Sequence, residues 1–152
     1  MSQPNRATKR LSSVTCVRET PRTATLEKLL EFVETHRMKD RIGPQAFADF
    51  ERELHRRFLQ AERDIVAEEM ARFDTDADAV LIEGKVHRRV LRQKQTYETG
   101  AGEVVVERTL YKDRTDAEGR CVSPMELTLG IVGGFWTPRA RTARPTSVAS
   151  SA

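Results

Sequence analysis

The stretch from Val80 to Asp113, VLIEGKVHRRVLRQKQTYETGAGEVVVERTLYKD, constrains the fold most. β-Branched residues recur between two Gly-bearing breaks, Glu83-Gly84 and Gly100-Ala101-Gly102. That is the pattern of short-looped antiparallel strands. The reading is a short strand, a tight turn, a long basic strand, a hairpin loop and a last strand. Val104, Val106 and Leu110 alternate there with Val105, Thr109 and Tyr111, so the last strand has apolar residues on both faces.

Two helices lead into this meander. Leu26, Leu29, Leu30 and Val33 fall at i, i+3, i+4 and i+7, one helical stripe. The first helix is predicted to start near Thr25, a capping residue, and to end at Gly43-Pro44. Pro44 then opens a second helix that runs to about Phe73, roughly 45 Å at 1.5 Å per residue. Its apolar stripe is Phe47, Phe50, Leu54, Phe58, Ala61, Ile65, Met70 and Phe73. The wet side carries Glu51, Arg52, Arg56, Arg57, Glu62, Arg63 and Asp64. A helix this long with a narrow stripe needs a partner, and the first helix, about half as long, covers only part of it. The sheet, a missing part of the chain or a second copy must cover the rest.

The expected fold class is therefore α+β: two N-terminal helices, one long, followed by a small antiparallel β-meander between disordered termini. The divisions are a disordered basic arm over 1–23, a helical hairpin over 24–73, the meander over 80–113, a short apolar segment over 120–138 and a disordered tail over 139–152. Pro124 is predicted to open a brief helix that Gly133-Gly134 breaks. The acidic segment Asp74 to Ala79 reads as a solvated linker.

Most chemistries find no residues here. Asp74, Asp76 and Asp78 open like a calcium loop, but Ala79 and Lys85 stand where Gly and the clamping Glu belong. His36, His55 and His87 lie on three separate elements, and Cys16 and Cys121 are as isolated, so no zinc site is expected. No GxSxG occurs, and Gly100 to Gly102 connects strands rather than cradling a phosphate. No cofactor and no metal are expected. Two isolated cysteines suit a reducing cytoplasm, and no apolar run reaches the roughly 18 residues of a membrane span.

The long strand is the exception. With 26 Lys and Arg against 23 Asp and Glu, the chain is only mildly basic. Yet Lys85 to Lys94 holds five cations, Lys85, Arg88, Arg89, Arg92 and Lys94, and no acid. Simple alternation puts Arg88, Arg92 and Lys94 on one face and Lys85 and Arg89 on the other. Such a ribbon can lie on a phosphate backbone, and it can equally be an edge strand kept soluble by its charges.

The run YETGAGEVVVERTLYKD, followed by SPMELTLGIVGGFWTPRA, resembles the N-terminal region of bacterial insertion-sequence transposases of the ISKra type. The matching residues are Thr99, Gly102, Glu103, Val104, Val106, Arg108 and Tyr111, then Pro124, Leu129, Gly130 and Ile131, then Trp136, Thr137 and Pro138. The likeness covers roughly residues 45 to 140. Where many relatives carry a Cys-rich segment, this chain has Lys112 to Ser123 with Cys121 alone.

The resemblance implies a role in DNA transposition, with the terminal repeats of the element as DNA partner. It also implies that the acidic triad and metal ions of the family's RNase H-like domain are missing, so no catalytic residue is carried over and no enzyme is expected. The tail RARTARPTSVASSA reads as out-of-frame sequence, as a frameshift near Arg139 would leave. The expectation is a truncated transposase: its DNA-binding or dimerising part. The alternative is a non-enzymatic interaction protein that self-associates as a homodimer through the long helix, with no DNA role.

Overall fold

A computed structural model of the chain describes residues 21–36 and 43–143. The fold is α+β. Helices α1 (Pro21–Thr35) and α2 (Pro44–Arg72) precede strands β1 (Ala79–Ile82), β2 (Lys85–Thr99) and β3 (Gly102–Asp113). Two single-turn helices follow, α3 (Pro124–Thr128) and α4 (Pro138–Thr142). The sheet is antiparallel in the order β1-β2-β3.

Helix α2 starts where the sequence places it. Gly43 takes a φ of 149°, and Pro44 fills the first turn, where no N–H is needed. At its other end the Phe73 N–H returns to the Met70 carbonyl at 3.0 Å. Helix α1 differs from expectation at both ends. It begins at Pro21 rather than Thr25, and a proline is at home in a first turn, where its missing N–H is not needed. Thr25 then lies inside the helix, and its hydroxyl bonds Asp64 of α2 instead. The helix stops at Thr35, well short of Gly43, where the Thr35 hydroxyl turns back onto the Glu31 carbonyl at 2.7 Å. The predicted arm thus loses its last three residues to α1, and 1–20 lie outside the described residues.

The meander forms as read. Glu83 and Gly84 have φ of 49° and 76°, the paired positive values of a type I′ turn that follows the strands' twist. Tyr97 pairs with Val104 and Gln95 with Val106. The register slips once, between Arg89 and Leu91, leaving Val90 as an extra residue. Alternation therefore reverses there.

The sheet has a helix face, with Tyr97, Val104, Val106 and Arg108, and a linker face, with Lys94, Glu107, Thr109 and Tyr111. Met70, Val66 and Ala67 of α2 close over the helix face with Tyr97, Val104, Val106, Met125 and Ile131 as the main core. The second half of α2 is covered in this way, and α1 packs on part of its first half.

The segment after β3 binds the free sheet edges. Tyr111 and Val122 exchange backbone hydrogen bonds at 2.9 and 2.8 Å. Farther on, the Glu98 N–H reaches the Phe135 carbonyl and the Thr137 N–H reaches the Glu98 carbonyl. The tail is not structureless from Arg139: Pro138 opens α4, and Arg139 reaches Glu62 of α2 at 2.8 Å. Residues 144–152 lie outside the described residues.

Candidate functional site

The bulge at Val90 re-sorts the basic strand. Arg92 and Lys94 pair with Thr109 and Glu107, while Arg89 and His87 pair with Tyr111 and Asp113. Arg89, Arg92, Lys94 and Lys85 therefore share the linker face, and Arg88 is alone on the helix face. The predicted grouping of Arg88 with Arg92 and Lys94 is corrected by that one residue.

The linker supplies most of the countercharge. Arg89 binds Asp76 at 2.5 Å and lies 3.7 Å from Asp78. Arg92 lies 3.4 Å from Asp74, 3.7 Å from Asp76 and 3.6 Å from Glu107. Lys85 stands 4.0 Å from Asp113. The Asp113 carboxyl is held below its ordinary range by the Thr115 hydroxyl and N–H, with Lys85 and His87 adding to this. Arg88 and Lys94 have no carboxylate within ion-pair reach among the described residues.

The acidic segment is thus only partly a solvated linker: Asp76 and Asp78 are exposed, but Asp74 is not. The Asp74 side chain is 2% exposed. It accepts the Thr109 N–H at 2.8 Å and the Thr109 hydroxyl at 2.9 Å. The Tyr111 hydroxyl donates to the Thr75 carbonyl and accepts the Ala77 N–H at 3.1 Å. Linker and sheet face are thus joined through Asp74, Tyr111 and Arg89. No group of three or more His, Cys, Asp or Glu able to hold a metal occurs among the described residues. His36 packs on Phe32 with ring centroids 4.4 Å apart, His87 contacts the Lys85 carbonyl, and Cys121 is exposed and free.

A second cluster escaped sequence reading altogether. Arg108, buried in β3, pairs with Glu126 of α3, and the Tyr97 hydroxyl donates to the same carboxylate at 2.7 Å. Phe135 packs edge-on to Tyr97 and under the Arg108 guanidinium, 5.0 Å away. Burial, then the bond to Glu126, pushes the Tyr97 phenol well above its ordinary range. A phenol so placed keeps its proton, and the cluster fastens α3 to the sheet. The signal was present: Arg108 follows Val104 and Val106 at period two, an inward position.

The hairpin presents the other surface. Phe32 is buried against Phe50, with ring centroids 5.9 Å apart, and Arg57 caps it at 4.5 Å. Leu29, Leu54 and Ile65 are half-buried and Ala61 is buried, but part of the apolar stripe is open. Leu30 is 60% exposed, Phe58 54% and Phe47 51%, with Leu26 and Val33 beside them in exposure. Leu26, Phe58 and Ile65 line a groove of about 450 Å³ between α1 and α2.

No helix among the described residues is long and apolar enough to cross a membrane. Compared with known proteins, the chain matches no protein-family model, no curated protein and no solved structure.

Proposed function

We propose that this chain is a non-enzymatic assembly module, a dimerising part of a transposase-like protein, working in the cytoplasm. The observation that carries the reading is the open apolar stripe of the hairpin: Leu26, Leu30 and Val33 on α1, Phe47 and Phe58 on α2. Two such hairpins laid stripe to stripe make a four-helix bundle and remove those side chains from water. Each large apolar side chain so covered contributes about 1.5–3 kcal/mol at most.

Light scattering on a size-exclusion column tests this. The full chain runs as a dimer at micromolar concentration, and Phe58→Glu runs as a monomer with unchanged circular dichroism. A wild-type chain that stays monomeric to hundreds of micromolar removes the reading.

DNA contact through β2 is the second reading, favoured by the bulge that collects four cations on one face. The acids around Lys85, Arg89 and Arg92 limit it. With only Arg88 and Lys94 unopposed among the described residues, about two phosphates per chain are neutralised rather than five, so log affinity falls with log salt with a slope near −2. A shift assay on the terminal repeats of the element against salt measures that slope, and a slope near −4.5 shows that the linker acids are displaced.

A further inference from the structure

Strand β2 is longer than its cover. On the side away from β3, β1 pairs only with Lys85 to Arg88, and Asp78 takes the Arg89 N–H at 2.9 Å. At the far end the segment Phe135 to Thr137 takes both backbone groups of Glu98. Because Glu98 points outward and the ladder from Leu91 to Thr99 is regular, Arg92, Lys94 and Thr96 point outward too. No backbone partner meets their N–H groups among the described residues. The Thr96 carbonyl accepts the neighbouring Gln95 amide at 3.0 Å, and those of Arg92 and Lys94 meet no backbone donor outside the sheet among the described residues.

We propose that this gap is a strand-addition site for a short extended peptide that alternates acidic and apolar residues. Its length is set by the two flanking segments: Val90 to Tyr97 spans roughly 24 Å, room for about six residues. An antiparallel strand there gains three N–H and two carbonyl partners without moving β2. Its side chains beside Arg92 and Lys94 lie on the linker face, where Lys94 has no carboxylate partner among the described residues, so acids fit. Its alternate side chains lie beside Leu91, which is 43% exposed on the helix face, so apolar residues fit there.

The same geometry rejects a second copy. Two β2 edges brought together oppose Arg92 and Lys94 to their own kind, and the flanking segments of each collide with the other. The site does not depend on the dimer, since the hairpin stripe is on other elements.

The test uses the isotope-labelled full chain and two blocked six-residue peptides, one alternating valine with glutamate, the other valine with lysine. The glutamate peptide slows amide exchange at Arg92, Lys94 and Thr96 by about tenfold or more, and leaves Gln93, Gln95 and Tyr97, already bonded to β3, unchanged. The lysine peptide binds at least about tenfold more weakly, and Lys94→Glu narrows or reverses that preference. Thr96→Pro removes an outward N–H that the β3 ladder does not use, and it abolishes binding of both peptides. Binding without protection of those three amides, equal binding of both peptides, or no binding at millimolar peptide overturns the proposal. If Thr96→Pro fails to fold, the exchange pattern and the Lys94→Glu preference decide it alone.

Discussion

The two ends of α2 use the same residue types to different effect. At the hairpin end the polar contacts stay mostly within one helix: Arg52 with Asp49, Arg56 and Arg57 with Glu53, Gln60 with Asp64. At the sheet end they join distant segments: Arg108 to Glu126, Thr109 to Asp74, Tyr111 to the linker. Local pairs favour helix but do not say how helices pack. Distant pairs fix one arrangement of the chain. The side chains almost wholly withdrawn from water, Tyr97, Tyr111, Met125, Thr109 and Ser123, all lie at the sheet end. The sheet end is a finished core, whereas the hairpin has apolar surface left to cover.

The largest test of this contrast is Glu126→Ala. It strands the Arg108 charge in a site where the side chain is 9% exposed, and its Nε already lacks a partner among the described residues. A loss of about 3–5 kcal/mol in urea unfolding is expected. A loss under about 1 kcal/mol means that water reaches Arg108, and the contrast fails.

Next comes Asp74→Ala, which removes both acceptors from Thr109 and a neighbour from Arg92. The cost is about 2–3 kcal/mol, since a buried N–H and hydroxyl lose their partner together. Amide exchange at Thr109 quickens more than at Val106. Asp74→Asn retains one acceptor and costs less.

Tyr97 separates the ends by pH. Its phenol stays protonated in the fold above the pH, about 10, at which an unfolded tyrosine ionises. The folded state therefore holds more protons there, so stability is full below about pH 10 and declines as pH rises beyond it. Tyr97→Phe gives up about 1 kcal/mol at neutral pH with the hydrogen bond to Glu126, and the alkaline decline becomes shallower. Asp113 works in the opposite direction. Its lowered carboxyl contributes above the usual carboxylate range and loses that contribution as pH falls. An alkaline decline unchanged by Tyr97→Phe assigns the effect to other groups.

Much of this was legible in the chain. Pro44 marked the start of α2, and period-two alternation with Glu83-Gly84 marked the meander and its turn. The bulge at Val90 was not, because a single inserted residue leaves no compositional trace, yet it decides which face each of Arg88, Arg92 and Lys94 occupies. The linker acids were read as solvated because their partners are about 13 to 35 positions away, beyond any periodic pattern. The start of α1 was missed because Thr25 and Pro21 both suit a helix N-terminus, and the sequence alone does not rank them.

The smallest effect is the mirror of the largest. Arg52 and Asp49 also form an Arg–carboxylate contact, at 2.8 Å, but their side chains are 71% and 55% exposed. Water solvates both charges whether or not they meet, and salt screens what attraction remains. Arg52→Ala should therefore change unfolding free energy by no more than about 0.5 kcal/mol, and molar salt should erase even that. Asp49 also accepts the Gln45 amide at 3.1 Å, so it keeps a partner when Arg52 is gone. A loss above about 1 kcal/mol at low protein concentration is too large for an exposed pair. It places that side of α2 in a desolvated contact, and the hairpin surface that pairs then extends past Phe47 and Phe58 around the helix.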